Sequence, residues 1–410
     1  MKENEIHENV LELRKYELID KLPDPFIFND GTKVKTKEDW GRRRAEIFET
    51  AVTMQYGTMP PEPELFEVEP YYFGGPGWPN CYRITTGTKE NPVVFTMTVF
   101  KADTKEKAPV VVDGDHCFGY VYDKEYIRTF LDKGIHLAMF NRTELAPDIA
   151  RYNQRDMISG TYESEAAAKI YDEVITNNCG GQLKKAYPEC TFGAVGAWAW
   201  GYLRCVDALE KLGFADMNLI AFTGHSRGGK AAALAGVLDE RAAIVNPNST
   251  CQGAYGSYRI NIEAKAEDGS IEASEPLSNI FHHFPTWLGP EMKEYIGREK
   301  ELPFDSHYLK ALVAPRILFV SESGNDILAN PVGSYQTTEA AAEVFKFLNC
   351  EENLLWYFRK GEHSHMVEDV EQLVNIIKHV QTGEPLNDKF FKLPFKKLEP
   401  AYDFKCPVCL

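Results

Sequence analysis

The chain has 410 residues, 44% of them hydrophobic and 12% aromatic, and 45 Lys and Arg against 61 Asp and Glu give a formal net charge of −16. This composition excludes disordered and fibrous chains, which have fewer large apolar residues or a periodic Gly and Pro pattern. The acidic balance, without a basic stripe, argues against a nucleic-acid binder. We therefore expect a globular protein whose charge serves solubility.

The first residues of the chain and its cysteines give indications of its cellular compartment. Residues 1–8 are polar, and no run in the sequence approaches the roughly 20 apolar residues of a membrane-spanning helix. We expect a cytoplasmic protein without membrane contact; a signal peptide already removed would leave no trace. Nine cysteines at irregular spacings predict reduced thiols. Cys406 and Cys409 form a CxxC pair, but a structural zinc site needs four ligands, so we expect no metal.

The first half of the chain changes character at about residue 66. Residues 1–65 are polar and loop-rich, with helical apolar spacing over 39–53, and we interpret them as an amino-terminal wrap. Short β-type runs follow at 82–85, 93–100, 108–112 and 135–140. The last two are almost entirely apolar, which is typical of strands buried on both faces of a parallel sheet.

Helices and strands alternate in the second half. The pattern predicts helices over 193–212, 227–239, 339–348 and 367–380, and strands over 218–223, 242–245, 317–321 and 354–358. This alternation is typical of α/β folds with a mostly parallel twisted sheet between helices. Residues 251–306 are irregular and aromatic-rich, and we interpret them as a small insertion over the carboxyl ends of the strands. We expect one domain over 66–400 with a single sheet, and a tail over 401–410.

The strongest motif is a GxSxG pentapeptide, Gly224-His225-Ser226-Arg227-Gly228. It lies between a predicted strand and a predicted helix, and that context is typical of the nucleophile elbow of α/β-hydrolases. The helix amino terminus can offer N–H groups to a developing oxyanion. The sequence therefore predicts an α/β-hydrolase, a three-layer sandwich, with Ser226 as nucleophile. The alternative is a serine in an ordinary turn.

A serine nucleophile needs a base and an acid, which follow it in this fold in the order acid, then histidine. His363 comes directly after the predicted strand 354–358, and His365 is its rival. Asp326 follows the strand 317–321, with Glu322 as the alternative acid. The remaining candidate histidines are expected to be core or loop residues: His116, His225, His282, His283 and His307.

Together these residues resemble the glucuronoyl esterase family of carbohydrate esterases. The resemblance extends to segments at 22–26, 39–44, 197–209, 224–230, 302–307 and 314–316. It implies that Ser226 is the nucleophile and His363 the base. It further implies that Arg227 stabilises the oxyanion through its backbone and guanidinium, and that Lys230 contacts a sugar hydroxyl. Trp287 and the surrounding aromatic residues are predicted to stack against a sugar ring, with plain hydrophobic packing as the alternative.

The chain departs from the family pattern at several positions. His225 replaces the cysteine before the nucleophile, which some members use in a disulfide. Ser249 occupies the position of a catalytic glutamate, so the acid role falls to Asp326, the position that bacterial relatives use. Leu328 and Phe284 replace a pocket tryptophan and a sugar-contacting glutamate.

We therefore predict a serine carboxylic-ester hydrolase that acts on a carbohydrate ester, either a glucuronoyl ester or an acetylated sugar, without metal or organic cofactor. Its expected partner is a small-molecule or oligosaccharide ester; the oligomeric state stays open. One alternative is another α/β-hydrolase activity, a serine peptidase or dienelactone-type hydrolase, because one fold hosts many functions. Another is a catalytically weak carbohydrate-binding relative.

Overall fold

The computed structural model describes residues 11–150, 177–266 and 268–407. Its central sheet contains nine strands: β2 (Leu65–Phe73), β3 (Pro79–Gly87), β4 (Pro92–Phe100), β5 (Ala108–Asp113), β6 (His136–Phe140), β7 (Ala215–His225), β8 (Ala242–Asn248), β11 (Ile317–Ser323) and β12 (Leu354–Arg359). The strand order is β12-β11-β8-β7-β5-β6-β4-β3-β2. The strands from β12 to β6 are parallel, whereas β4, β3 and β2 continue the sheet as antiparallel strands.

The helices in the described residues are α1 (Lys37–Phe48), α2 (Lys124–Leu131), α3 (Gly181–Ala186), α4 (Ala194–Leu212), α5 (Arg227–Leu238), α6 (Leu277–His283), α7 (Ser306–Ala311), α8 (Pro331–Phe347) and α9 (Val367–Thr382). A short π-helix at Glu49–Thr53 and a short helical turn at Met54–Tyr56 extend α1. Among the residues in these ranges, no helix is long and apolar enough to cross a membrane.

The sheet has an apolar core on each face, because successive side chains of a strand point to opposite sides. In β5, Val111 joins a cluster with α2 and α9, while Val110 and Val112 join a larger cluster with α4, α5 and α8. All three valines are fully buried, which explains the continuous apolar run of this strand. The predicted three-layer α/β sandwich is confirmed.

The expectation of a single sheet is wrong. Three further strands, β1 (Leu13–Leu18), β9 (Ile260–Lys265) and β10 (Ile271–Ala273), form a separate antiparallel sheet in the order β1-β9-β10. It joins the predicted amino-terminal wrap to the predicted irregular insertion, with Leu18 opposite Ile260. Local sequence patterns do not show this pairing, because its two strands are far apart along the chain. Parts of the predicted wrap and tail, residues 1–10 and 408–410, lie outside the described residues.

Helix α8 begins eight residues before its predicted start. Asn330 caps it by accepting a hydrogen bond from the Gly333 N–H at 2.8 Å, and Pro331 occupies the first turn, where no N–H is needed. The first turns of α8 are rich in small and polar residues, so apolar spacing alone does not reveal them. The cap places α8 directly after the loop that carries Asp326.

Candidate active site

Ser226 lies at the sharp turn between β7 and α5, with φ 55° and ψ −119°. This left-handed backbone is strained for a residue with a side chain. The flanking glycines permit it: a Cβ on Gly228 would lie 1.9 Å from Asp115 Oδ1, and one on Gly224 would lie 2.6 Å from the Gly228 carbonyl oxygen. The two glycines of the motif are therefore required by close packing at the elbow.

The structure brings Ser226, His363 and Asp326 together. His363 Nε2 lies 2.9 Å from Ser226 Oγ, and His363 Nδ1 lies 2.6 Å from Asp326 Oδ2. The Asp326 side chain is 1% exposed, whereas the His363 side chain is 33% exposed. A carboxylate that accepts from Nδ1–H leaves the Nε2 lone pair directed at the hydroxyl. The three side chains have the geometry of a nucleophile, a general base and an orienting acid.

His365, the rival base, does not contact Ser226. It packs edge-on against Tyr120, with ring centroids 5.1 Å apart. Both of its ring nitrogens are buried without a hydrogen-bond partner among the described residues. Burial lowers the pKa of His365 to about 3, so the ring is neutral at ordinary pH. Its role is packing beneath the site.

Glu322, the alternative acid, is not the hydrogen-bond partner of His363, whose Nδ1 is bound to Asp326. Its carboxylate is buried and accepts a hydrogen bond from Ser334 Oγ at 2.8 Å. The buried Lys310 donates to the Ser334 carbonyl oxygen at 2.7 Å. Burial raises the pKa of Glu322 to about 8 and lowers that of Lys310 to about 7. This pair is part of the core.

The substitution Glu322→Gln is expected to flatten the pH dependence of stability between about pH 4.5 and 7. In the folded chain a pKa of about 8 keeps Glu322 protonated, whereas in the unfolded chain Glu322 loses this proton near 4.5, the ordinary pKa of a glutamate. Unfolding therefore releases a proton, and the free energy of unfolding falls as pH rises, by up to roughly 1.4 kcal/mol per pH unit.

Lys310 adds no slope in this window, because a group with a pKa of about 7 in the folded chain is protonated below that pH in both states. Urea unfolding of the wild type and the Glu322→Gln variant at several pH values across the window measures the difference. Equal slopes for the two proteins would contradict the buried, protonated state of Glu322.

His225 packs beneath the catalytic histidine. Its ring centroid lies 4.6 Å from that of His363, and its Nδ1 lies 2.6 Å from Asn248 Oδ1. The Asn248 Nδ2 group donates to the carbonyl oxygen of Ser321, so Oδ1 is an acceptor and His225 Nδ1 carries the hydrogen. Burial lowers the pKa of His225 well below its usual value. A neutral imidazole therefore packs against the ring of His363.

Arg227 is held at the mouth of the site by a buried carboxylate. It is the first residue of α5, so its own N–H has no acceptor within the helix. Its Nη1 donates to Asp148 Oδ1 at 3.2 Å, and its guanidinium lies 4.6 Å from the centre of the Phe284 ring. The other oxygen of Asp148 accepts from Arg142 Nη2 at 3.1 Å. Arg142 is fully buried, so the guanidinium of Arg227 is anchored to the core.

The face of the Trp287 ring that was predicted to stack against a sugar is covered by other side chains. Trp287 is 3% exposed, and its ring is stacked on Phe284 at a centroid distance of 3.7 Å. Its Nε1 donates to Asp148 Oδ1 at 3.2 Å. Lys230, predicted to contact a sugar hydroxyl, is also buried, and its Nζ donates to the Thr250 carbonyl oxygen. Of the two predicted interpretations of Trp287, the structure favours packing, here against Arg227.

Glu275 is a site residue that the sequence analysis missed. It is 6% exposed, burial raises its pKa, and Lys230, Arg227 and His363 lie close enough to lower it. It belongs to the segment predicted to be irregular, where no pattern indicates its position. Asp115 and Arg142 were missed although a signal existed: each follows a buried parallel strand, at the sheet edge where such folds place their sites.

The chain was predicted to hold no metal and to have reduced cysteines. Within the described ranges, no group of three or more His, Cys, Asp and Glu residues could hold a metal ion. The eight cysteines in those ranges are free thiols. Cys406 is one of them, whereas Cys409 of the CxxC pair lies outside the described residues.

Comparison with known proteins points to one family. A family model described as "Glucuronyl esterase, fungi" matches residues 161–349. A 4-O-methyl-glucuronoyl methylesterase from Wolfiporia cocos is 28% identical over 84% of this chain and 76% of its own length. A second such enzyme, from Hypocrea jecorina, is 27% identical over 92% of this chain and 73% of its own length. A solved glucuronoyl esterase of carbohydrate esterase family 15 from Caldicellulosiruptor kristjansonii matches with a TM-score of 0.78 at 27% identity, covering 95% of this chain and 98% of that one.

Proposed function

We propose that this chain, which is similar to glucuronoyl esterases, hydrolyses an ester of the carboxyl group of a glucuronic acid residue. One observation carries this proposal: Ser226, His363 and Asp326 form a continuous hydrogen-bonded chain at a strained elbow, with Arg227 beside the nucleophile. The relatives named above as glucuronoyl methylesterases support this choice of substrate.

The geometry supports a two-step acyl transfer. Ser226 Oγ attacks the ester carbonyl carbon while His363 Nε2 takes its proton, and Asp326 stabilises the resulting imidazolium. The Arg227 N–H and guanidinium stabilise the negative charge that develops on the carbonyl oxygen. His363 then returns the proton to the leaving alcohol. Water, activated by the same histidine, releases the uronic acid from the serine.

The sugar is expected to contact Glu275. In a glucuronoyl ester the sugar ring is on the acyl side, so it stays attached to Ser226 until water enters. A carboxylate accepts hydrogen bonds from sugar hydroxyls, and Glu275 lies among Lys230, Arg227 and His363. The neighbouring Lys230 and Arg227 favour the charged form of this carboxyl.

The substitution Glu275→Gln tests both substrate class and pocket. We expect the KM for methyl glucuronate to rise by roughly tenfold, because a lost hydrogen bond to a charged group costs about 1.5–3 kcal/mol. The kcat/KM for p-nitrophenyl acetate, which has no sugar, should stay within about twofold of wild type. Glu272→Gln, at an exposed position on β10, is the matched control.

Assays with methyl glucuronate, acetylated xylan fragments, short p-nitrophenyl esters and short peptides decide the substrate. A higher kcat/KM for methyl glucuronate than for the acetylated fragments supports the proposal. The reverse order would make acetylated sugars the substrate, and cleavage of peptides alone would indicate a peptidase. Cytoplasmic localisation stays a prediction.

A further inference from the structure

His363 lies in a loop that has no helical or strand hydrogen bonds of its own to fix its backbone. The loop spans residues 360–366, between the end of β12 and the start of α9. The His363 side chain is one-third exposed, so the core packs around it on one side only. The 2.9 Å contact between His363 Nε2 and Ser226 Oγ therefore depends on what fixes the loop backbone.

Arg359, the last residue of β12, organises this loop from beneath. Its Nη1 donates to the Lys360 carbonyl oxygen at 3.0 Å, and its Nη2 to those of Glu362 at 3.4 Å and Ser364 at 2.5 Å. Nη2 also donates to Ser364 Oγ at 2.9 Å. The guanidinium thus binds the backbone on both sides of His363.

Asp369 fixes the guanidinium in turn. Arg359 Nε donates to Asp369 Oδ2 at 2.9 Å, and the side chains are 4% and 0% exposed. The same oxygen accepts from the Met366 N–H at 2.9 Å, at the start of α9. A buried ion pair with this many hydrogen bonds has little freedom to move. The end of the loop next to α9 is therefore held by the same ion pair as the residues around His363.

Contacts between loops set the position of His363 relative to Asp326. The Gly324 N–H donates to the Arg359 carbonyl oxygen at 2.7 Å, and the Asn325 N–H donates to that of Gly361 at 3.1 Å. Gly361 has φ 121°, and a Cβ there would lie 2.6 Å from Arg359 Nη1. The glycine thus lets the loop backbone approach the guanidinium.

We propose that Arg359, oriented by Asp369, is a positioning residue that holds His363 within reach of Ser226. The hydrogen bonds of its side chain go to the loop and to Asp369, so it acts on His363 through the loop. This inference rests on the proposed role of His363 as the base. A lysine would keep the charge but not the planar fork that binds three carbonyl groups.

The test compares Arg359→Lys with Arg259→Lys. Arg259 is a matched control, because it is equally buried, pairs with Asp305 and donates to the carbonyl oxygen of Phe304 at 2.7 Å. It makes no hydrogen bond to the histidine loop. Each variant is measured for unfolding, kcat, KM and the downfield proton resonance of the His363 Nδ1–H group.

We expect Arg359→Lys to lower kcat by about 100-fold with KM within about threefold, because a displacement of about 1 Å has that effect on a catalytic group. Its Nδ1–H resonance should broaden or disappear. Arg259→Lys should lose comparable stability yet keep kcat within about twofold. If Arg359→Lys does not fold, Asp369→Asn, which keeps the arginine but removes the carboxylate that orients its guanidinium, should also lower kcat with little change in KM.

An Arg359→Lys enzyme with wild-type kcat and an unchanged resonance would overturn the proposal. So would equal kcat losses in both variants, since these would indicate a general stability effect. Failure of the proposed function can be distinguished from failure of this inference. If the wild type hydrolyses none of the esters tested, the Nδ1–H resonance still reports whether Arg359 positions His363.

Discussion

The substitution Ser226→Ala is expected to lower kcat for an ester substrate by about six orders of magnitude, because removal of a serine nucleophile eliminates the acyl-enzyme route. Ser226 Oγ is the atom that His363 Nε2 approaches to 2.9 Å, at a backbone conformation held by the elbow. What catalysis remains comes from binding and from the groups that stabilise the oxyanion.

A fluorophosphonate probe measures the nucleophile directly. It should label the wild type at Ser226, as mapped by mass spectrometry, and should not label the Ser226→Ala variant. Ser249→Ala is the matched control: Ser249 also has a positive φ, of 43°, and is buried near the site, but its Oγ accepts a hydrogen bond from the Ser323 N–H at 3.4 Å. Labelling that persists in Ser226→Ala would show that another residue is the nucleophile.

The substitution Asp326→Asn is expected to lower kcat by about four orders of magnitude, as replacement of the orienting acid does in serine hydrolases. The Asp326 carboxylate accepts from His363 Nδ1 at 2.6 Å and from the Ala329 N–H at 3.1 Å. An amide cannot balance the imidazolium, and its NH2 group favours the tautomer with the hydrogen on Nε2. That tautomer cannot take the proton of Ser226.

Glu322→Gln distinguishes the two candidate acids. Because the Glu322 carboxylate is buried and bound to Ser334, whereas His363 Nδ1 is bound to Asp326, this variant should keep kcat within about twofold of wild type. If Asp326→Asn kept near-full activity and Glu322→Gln lost it, the acid role would move to Glu322. Circular dichroism of both variants separates this effect from unfolding.

The elements with strong local signals could be predicted from the sequence. The buried strands β5 and β6, the elbow and helix α4 follow from apolar runs and glycine placement, since these reflect burial and close packing at each position itself. The resemblance to glucuronoyl esterases and the ester-hydrolase activity, both predicted from these motifs, are confirmed by the comparisons. The β1-β9-β10 sheet was missed, because its pairing depends on segments far apart in the chain.

The candidate site also has features that the sequence predicts and features that only the structure shows. The sequence by itself determined the chemical class, since Ser226, Asp326 and His363 each follow a predicted strand closely and come in the chain order of this fold. Only the tertiary structure decided which histidine and which acid form the hydrogen bond. Candidates such as His363 and His365 have the same side chain two positions apart, and only the fold determines which of them faces Ser226. It also placed Phe284 over Trp287 and anchored Arg227 on Asp148. These contacts join distant segments, and their energy depends on burial and geometry that a linear pattern does not contain.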